Sequence, residues 1–515
     1  MLTRLKVSGF KNLVDGDVRF GPFTCIAGAN GVGKSNLFDA ITFLSALADR
    51  PLVDAALSVR DDGSRTTDLR SIFQRVGDVY VDKMSFQADM IVPYEGVDDL
   101  GQPAEASITF LRYSVDLAYS KGANGQVPSS LQLVKEELVH INLGDAPEAL
   151  PFPHRVVWRN SVLKGRRTSP FISTEDKDGK RLIRLHQDGS QGRPLSRLAA
   201  SLPRTVLSAT NAAESPTALL ARREMQSWRL LQLEPSSLRK PDEFTAPARL
   251  GMDGAHLPAT LYHLAQQARH QAQDEGEGDA AATSIYAQIA NRLADLVGDV
   301  YDLAIDRDER RELLTLLITS RDKTVMQARA LSDGTLRFLA LAILELDPQT
   351  QGVLCLEEPE NGIHPARIPA ILSLLQDIAT DTGEPIGPDN PLRQVIVNTH
   401  SPAVVGQVPA DSLLIAELRE TVDGGLRYKR ASFAALPDTW RVKASSDKHT
   451  VSKGQLLDYL NPIAPDDIDI TPIDGNGHQH TERGQGRTTR VVDRPDLQLL
   501  LSFPSHHCSR RRVYR

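Results

Sequence analysis

The sequence contains few cysteines. Only Cys25, Cys355 and Cys508 occur in 515 residues, and the first two lie inside apolar runs that predict buried strands. A reduced thiol in such a position behaves as a small hydrophobic side chain. We therefore exclude a framework of disulfide bonds.

Long apolar runs are also missing from the chain. No stretch approaches the roughly 18 consecutive apolar residues that predict a membrane-spanning helix. Residues 1–13 alternate apolar and polar side chains, whereas a secretory signal places a basic start before an apolar block. We therefore expect a cytoplasmic protein that has no membrane partner.

An excess of positive charge is absent as well. The formal net charge is −7 at pH 7, and the calculated isoelectric point is about 6.0. This balance argues against a protein that coats nucleic acid through bulk charge, so any contact with DNA must come from a local basic groove. The sequence also lacks internal repeats and sustained heptads, and the missing heptads exclude a long coiled coil.

The apolar periodicity changes several times along the chain. Alternating runs between residues 84 and 172, with the run RVVWR at 155–159 among them, predict a meander of antiparallel strands. Apolar residues three or four positions apart over 219–231, 257–268 and 285–296 predict a helical insert. The predicted segments are an N-terminal lobe (1–200), the helical insert (201–299), a C-terminal lobe (300–436) and a partly disordered tail (437–515).

Strands and helices alternate again after residue 300. Such an alternation predicts a parallel α/β arrangement. The two lobes together predict an α/β fold with a mixed central sheet, an antiparallel meander and a helical insert. The tail contains an aperiodic stretch, 475–489, before a short predicted strand at 497–501. The predicted elements after residue 300 are strands at 300–305 and 312–320, a helix at 335–346, a strand at 353–356, a helix at 366–379 and a strand at 394–398.

The segment GANGVGKS, residues 28–35, matches the phosphate-loop pattern and lies between a predicted strand and a predicted helix. Its glycines allow backbone N–H groups to point at phosphates, and the helix N-terminus adds about half a positive charge. Lys34 adds a full charge, and the hydroxyl of Ser35 is placed to bind Mg²⁺. The residues predicted to bind the nucleotide here are Gly28, Asn30, Gly31, Gly33, Lys34, Ser35 and Asn36.

An apolar strand that ends in two carboxylates forms the next motif, GVLCLEEPENGIHP, at residues 352–365. Adjacent side chains on a strand point to opposite faces, so Glu357 and Glu358 cannot have the same role. We assign Glu357 to the magnesium ion. Glu358 is assigned to the attacking water, as the general base.

The segment ALSDGTLRFLALAIL, which starts at residue 330, resembles the signature LSGGQ of ABC-type ATPases. Asp333 stands in place of the first glycine and Thr335 in place of the glutamine. Ser332 and Gly334 keep the hydroxyl and the flexible backbone. In ABC enzymes this surface faces the ATP held by the other subunit. The resemblance therefore implies a homodimer in which Ser332 and Gly334 of one chain contact the nucleotide of the other.

The segment QVIVNTHSP, residues 394–402, ends another apolar strand in a polar turn. His400 resembles the switch histidine of ABC ATPases, which hydrogen-bonds the γ-phosphate. A lone histidine is more often structural, and the position after the paired acids favours the functional role. The resemblance adds His400 to Lys34 and Glu358 in the catalytic set, and it likens residues 360–364 to the D-loop of a dimer interface.

Together these motifs resemble the SMC-like ABC ATPases. The most similar branch contains the RecF and OLD ATPases and the stand-alone AAA-type ATPases of bacterial defence islands. The resemblance covers residues 2–47 and 300–418. It implies an ABC-type P-loop head that binds ATP and Mg²⁺ and hydrolyses ATP to ADP and phosphate. It does not identify the glutamine near the metal or the aromatic side chain that stacks on adenine in related ATPases.

The resulting hypothesis is an ATP-gated dimer that senses or regulates nucleic-acid transactions. The resemblance implies a role in anti-phage defence. We expect a separate effector or nuclease, because the tail carries no clear acidic cluster. DNA is a candidate ligand, and RNA or a phage protein stays open as an alternative. Three alternatives stay open: a RecF-like DNA-repair ATPase, a scaffold that binds ATP without hydrolysing it, and the nucleotide-binding subunit of a transporter. The long separation between the phosphate loop and the signature disfavours the transporter.

Overall fold

The computed structural model describes residues 1–59, 68–120, 130–189, 194–273, 277–423, 426–444 and 450–460. The predicted aperiodic stretch 475–489 and the predicted strand 497–501 lie outside these residues. Within the described part of the chain, no helix is both long enough and apolar enough to cross a membrane.

The strands and helices are numbered in chain order. The strands are β1 (Leu2–Ser8), β2 (Gly16–Arg19), β3 (Phe23–Ala27), β4 (Arg75–Val76), β5 (Val79–Tyr80), β6 (Lys83–Ile91), β7 (Glu95–Val97), β8 (Pro103–Glu105), β9 (Phe110–Ser120), β10 (Ser130–His140), β11 (Ile172–Lys177), β12 (Lys180–Leu185), β13 (Leu195–Leu198), β14 (Arg229–Leu231), β15 (Asp242–Glu243), β16 (Val300–Asp308), β17 (Leu313–Ser320), β18 (Val325–Gln327), β19 (Gly352–Glu357), β20 (Arg393–Thr399), β21 (Leu413–Asp423) and β22 (Leu426–Ala435). The helices are α1 (Lys34–Leu47), α2 (Leu52–Leu57), α3 (Ala146–Ala149), α4 (Val156–Val162), α5 (Pro216–Gln226), α6 (Pro235–Leu238), α7 (Leu257–Gln271), α8 (Gly278–Val297), α9 (Asp333–Leu346), α10 (Ile368–Ile378), α11 (Pro402–Gln407), α12 (Trp440–Ala444) and α13 (Lys453–Leu460).

A mixed sheet of six strands lies at the centre of the fold, in the order β14-β19-β20-β3-β21-β22. Its neighbours are parallel except for the pair β21 and β22. Successive residues of β19 enter two different cores, with Val353 and Cys355 in one and Leu354 and Leu356 in the other. Burial on both faces explains why these strands are continuous apolar runs. The carboxyl ends of β14, β19, β20 and β3 lie at one edge of this sheet.

Eight antiparallel strands form a second sheet, in the order β13-β12-β11-β10-β9-β6-β1-β2. One face packs in a core that also contains residues of α1, α2 and α5. The predicted mixed sheet and antiparallel meander are therefore confirmed. The run 155–159 is not a strand of this sheet, so that prediction is wrong: it lies in α4, which buries Trp158 and Val162 one turn apart. Packing of Trp158 against Phe152 outweighs the β propensity of the valines.

Helices α7 and α8 form most of the helical insert and pack against each other and against α9. Strands β16 and β17 follow and pair antiparallel in a small sheet with β15 and β18. The strands predicted at 300–305 and 312–320 are present, whereas their predicted place in a parallel arrangement is wrong. Only residues 309–312 connect β16 to β17. A parallel pair needs a crossover of about a dozen residues or more, so this short connection favours the antiparallel pair.

The helix predicted at 219–231 is correct over its first part only. Helix α5 ends at Gln226, and the next residues form β14, which pairs in parallel with β19 at Leu231 and Leu356. The segment predicted as a helical insert thus also supplies an edge strand of the central sheet. A strand of three residues is too short to show a period of two, so periodicity could not separate it from the helix.

A buried carboxyl group ties the antiparallel sheet to the segment that leads into α5. Glu136 of β10 is fully buried. Its Oε2 accepts the Val206 N–H at 2.7 Å, and its Oε1 accepts the Leu207 N–H at 2.9 Å and the Tyr113 hydroxyl at 3.2 Å. Burial raises the pKa of Glu136 to about 7, although these three hydrogen bonds favour the ionised form.

We expect Glu136 to make stability depend on pH. Its pKa is higher in the folded chain than the ordinary value of 4.5, so the folded state binds the proton more tightly. This contribution to stability is fully present below about pH 4.5 and is lost as the pH rises through 7, by on the order of 3 kcal/mol. Thermal melting from pH 5 to 8 should show the wild type losing stability relative to Glu136→Gln. Glu137→Gln on the same strand is the control, and a constant difference across this range would contradict the assignment.

Candidate nucleotide-binding site

The ends of three parallel strands bring the predicted motifs together. Strand β20 pairs with β3 at Thr399 and Ala27, and with β19 at Asn398 and Glu357. The loop after β3, the acids at the end of β19 and the turn after β20 therefore meet at one edge. A cavity of about 540 Å³ lies there. The predicted site residues that line it are Asn30, Gly31, Gly33, Lys34, Ser35, Asn36, Glu357 and Glu358.

The loop after β3 has the backbone that its glycines predict. Gly31 and Gly33 have φ values of 79° and 107°, a region that favours glycine. A Cβ on Gly33 would lie 2.6 Å from the side chain of Asn12, so only glycine fits there. The loop leads directly into α1, whose first residue is Lys34. The loop therefore lies at a helix N-terminus, a position that suits an anion.

The ammonium group of Lys34 lies across this loop. Its Nζ donates to the carbonyl oxygens of Gly28 at 2.6 Å and Ala29 at 2.9 Å, and the side chain is only 6% exposed. Burial lowers the pKa of Lys34, and the charges of Glu358 and Glu357 oppose that effect. A buried ammonium next to peptide dipoles is a suitable partner for a phosphate group.

Asn12 connects the first strands to the phosphate loop. Its Nδ2 donates to the carbonyl oxygen of Val32 at 3.3 Å, and its Oδ1 accepts Asn36 Nδ2 at 2.8 Å. The neighbouring Lys11 forms an ion pair with Asp39 of α1 at 2.8 Å. These contacts tie the Lys11–Asn12 segment to the phosphate loop and to α1.

A second cavity, of about 360 Å³, shares this Lys11–Asn12 segment. Tyr80 and Tyr428 line it together with Lys429. Neither a motif nor a period in the sequence identifies these tyrosines, because Tyr80 lies in a two-residue strand and Tyr428 lies on a strand far along the chain. Phe73 and Arg75 also line it, and this combination of aromatic and cationic side chains suits a flat, polar ring.

Glu357 is held between two side-chain amides. Its Oε1 accepts Asn398 Nδ2 at 3.3 Å, and its Oε2 accepts Gln232 Nε2 at 3.2 Å. Gln232 follows β14 directly and lines the cavity. Sequence reasoning missed it because β14 lies in a segment that was predicted to be helical. The oxygens of Ser35, Glu357 and Gln232 line one cavity, and this donor set fits Mg²⁺, which takes oxygen ligands and few protein groups.

Glu358 contacts different partners from Glu357. Glu357 is the last residue of β19, whereas Glu358 lies in the turn that follows it, so the turn and not the alternation of strand residues separates the two carboxylates. Its Oε1 lies 2.6 Å from His400 Nδ1, and its Oε2 accepts Asn361 Nδ2 at 2.7 Å. Burial raises the pKa of Glu358, but the hydrogen bonds from Asn361 and His400 and the charges of His400 and Lys34 hold it below its usual range. The carboxylate is therefore ionised and able to accept a proton.

The backbone of Glu358 adopts an unusual conformation. Its φ of 45° lies in the left-handed region, which costs a residue other than glycine on the order of 1–3 kcal/mol. The Glu358 N–H donates to Asn398, with the side-chain Oδ1 at 3.1 Å and the carbonyl oxygen at 3.0 Å. This anchor turns the chain sharply after β19 and directs the carboxylate away from the sheet.

Ser332 and Gly334 lie outside the cavity. Ser332 is exposed, caps α9 by accepting the Thr335 N–H at 3.1 Å, and its hydroxyl lies 2.8 Å from the Thr335 hydroxyl. Asp333, which replaces the signature glycine, forms an ion pair with Arg239. The fold thus brings Lys34, the paired acids and His400 together in one chain and leaves Ser332 on the surface.

Solved structures similar to the chain include an SMC head bound to the C-winged helix domain of ScpA (13% identity, TM-score 0.42, 85% of this chain and 98% of that one) and an SMC head with an extended coiled coil bound to the C-terminal domain of ScpA derived from Pyrococcus furiosus (12%, 0.37, 84% and 96%). The SMC head of Thermotoga maritima is also similar (9%, 0.32, 84% and 98%). No curated protein matches the chain. A family model described as "AAA domain, putative AbiEii toxin, Type IV TA system" matches residues 23–126 and 164–406. Because this match covers more than half of the chain, the protein belongs to that AAA-domain family, which agrees with the resemblance to ABC-like ATPases.

Proposed function

We propose that the protein binds ATP with Mg²⁺ and hydrolyses it as a homodimer, in which each composite site takes residues from both chains. One observation carries this proposal: the functional motifs are divided between two surfaces. Lys34 and Glu358 share a cavity, whereas Ser332 is exposed outside it. A single chain therefore has half of a site on each surface, and a second copy supplies the missing half.

The residues of the cavity have complementary roles in this reaction. The phosphate loop and Lys34 bind the phosphates. Ser35, Glu357 and Gln232 would hold a magnesium ion, which would supply positive charge next to the phosphates. Glu358 accepts a proton from the attacking water, since its carboxylate is ionised and held by hydrogen bonds. The hydrogen bond from His400 to Glu358 links this base to the turn after β20.

The second cavity is proposed to hold the base of the nucleotide. It joins the phosphate loop through Asn12, which contacts both Val32 and Asn36. Tyr428 is the candidate for stacking on the base, since the guanidinium groups of Arg70 and Arg75 already lie 5.3 and 5.5 Å from the centre of the Tyr80 ring. Stacking tolerates any base and gives affinity without strong selectivity.

The proposed dimer is symmetric and head-to-tail. The exposed hydroxyl of Ser332 and the N-terminus of α9 suit a phosphate held by a second copy. A twofold axis then forms two equal sites, because each chain gives one phosphate loop and one signature surface.

The biological role proposed for this switch is defence. The family is described as a putative toxin of a type IV toxin–antitoxin system, which supports a regulatory or toxic role over a housekeeping one. We propose that ATP-driven association of the chains controls a separate effector or nuclease, and that DNA is the sensed ligand.

The first expected result concerns Glu358. Replacing Glu358 with glutamine removes the proton acceptor and keeps the shape of the side chain, so kcat should fall by about a hundredfold or more while ATP still binds. Steady-state turnover and equilibrium binding of a fluorescent ATP analogue measure these two effects. Glu309→Gln, an exposed acid in the β16–β17 turn, is the control. If the wild type is no faster than Glu358→Gln, hydrolysis is not the function of the site.

Gln232 should affect the use of the metal ion. Truncation to alanine removes the amide beside Glu357, and we expect Gln232→Ala to need a several-fold higher Mg²⁺ concentration for half-maximal turnover. A magnesium titration of ATPase rate measures the change, with the exposed Gln349→Ala as control. An unchanged Mg²⁺ dependence would remove Gln232 from the metal site.

Mixing two inactive variants tests the composite site. Lys34→Ala and Ser332→Arg should each abolish turnover, because either change damages both sites of a homodimer. In the mixed dimer, the Ser332→Arg chain contributes an intact phosphate loop and the Lys34→Ala chain an intact signature, so one complete site forms. Random pairing of equal amounts makes about half of the dimers mixed, and each mixed dimer has one of its two sites complete. The expected recovery is therefore about a quarter of the wild-type rate. Mixed dimers that form with ATP but show no recovery would rule out the head-to-tail arrangement.

A further inference from the structure

An arginine of α9 lies in the same cavity as the phosphate loop. Arg337 is on the second turn of α9 and lines the cavity together with Lys34 and Glu358. No motif assigned it a role. The helix therefore carries two different features, with Ser332 at its exposed start and Arg337 facing the cavity of its own chain.

A row of hydrogen bonds connects Arg337 to the proposed general base. The Nη1 of Arg337 donates to the backbone carbonyl oxygen of Asn361. The Nδ2 of Asn361 donates to Glu358 Oε2 at 2.7 Å, and Glu358 Oε1 lies 2.6 Å from His400 Nδ1. Arg337 thus ties the turn that follows β19 to α9, a separate element.

The turn has few backbone hydrogen bonds of its own, although the Thr399 hydroxyl also donates to the buried carboxylate of Glu360 within it. It belongs to no helix or strand, and its backbone bonds are the Asn361 N–H to the Glu358 carbonyl and the Ile363 N–H to the Glu360 carbonyl, each at 3.0 Å. The strained backbone of Glu358 is anchored to Asn398 on one side. Arg337 holds the other side through Asn361.

The energetics argue against a purely stabilising role for Arg337. Its Nε is buried and has no acceptor among the described residues. A buried donor without a partner costs about 1–3 kcal/mol. An aliphatic side chain of similar length would avoid this cost while packing in the same place, so the guanidinium is better explained by what it positions.

We propose that Arg337 is a positioning residue for hydrolysis: by holding Asn361, it fixes the Glu358 carboxylate in the direction of the attacking water. The inference rests on the proposed ATPase function and adds a residue to it. Lys34 and its loop grip the nucleotide, so a change at Arg337 slows the chemical step and leaves nucleotide affinity intact.

The test compares four variants of the full chain. Arg337→Ala and Asn361→Ala should each lower kcat by about tenfold to a hundredfold, because small misplacement of a catalytic group has effects of this size. The dissociation constant of a fluorescent ATP analogue should stay within about twofold of the wild type. The double variant should be no slower than the slower single variant, since the Arg337–Asn361 and Asn361–Glu358 hydrogen bonds act in series on one carboxylate. Arg337→Lys should recover part of the rate, because an ammonium group can still donate to the Asn361 carbonyl.

Two further variants separate positioning from folding. Arg321→Ala removes an exposed arginine in the turn between β17 and β18 and should leave the rate unchanged. Arg337→Met keeps the aliphatic packing and should be as slow as Arg337→Ala; it carries the test if Arg337→Ala does not fold.

Three results would overturn the proposal. The first is a wild-type kcat for Arg337→Met, and the second is a weaker ATP affinity with an unchanged kcat for Arg337→Ala. The third is a double variant in which the loss of kcat equals the product of the losses in the two single variants. Each of these leaves the ATPase function standing. A wild type that does not hydrolyse ATP instead overturns the proposed function itself.

Discussion

The candidate site depends on the parallel pairing of β3, β20 and β19. Parallel strands place their carboxyl ends at one edge, so the segments that follow them meet although they are far apart in the sequence. The register pairs Ala27 with Thr399 and Glu357 with Asn398. One pairing pattern therefore explains why the phosphate loop, the paired acids and His400 lie close together. A shift in that register would separate them.

The polar contacts at this edge turn proximity into a defined geometry. Asn398 contacts both acids, with its side chain bonded to Glu357 and its backbone and side chain accepting the Glu358 N–H. The two carboxylates consequently point to different partners. Glu358 is then held by Asn361 and His400, and the backbone strain at Glu358 is supported by bonds on both sides.

Motifs of local origin were predictable from the sequence, and features set by distant contacts were not. The phosphate loop follows from its glycine spacing, and the helix predicted after it is present as α1, which starts at Lys34. Gln232 was missed because β14 exists only through its pairing with β19. The run around Trp158 has strand-forming residues but becomes a helix, since packing against Phe152 outweighs local propensity. The antiparallel pairing of β16 and β17 follows from their short connection, whereas the alternation of strands and helices after residue 300 predicted a parallel arrangement.

Helix α9 gives a physical reason for coupling the two surfaces of a chain. Its exposed start carries Ser332, and its second turn carries Arg337, which contacts the turn that holds Glu358.

The central claim is that a second copy completes the site, and a structure of Glu358→Gln with ATP and Mg²⁺ tests it most directly. The account predicts a dimer in which each triphosphate contacts Lys34 of one chain and Ser332 of the other. A nucleotide fully bound in a monomer, with Ser332 still exposed to solvent, would contradict it.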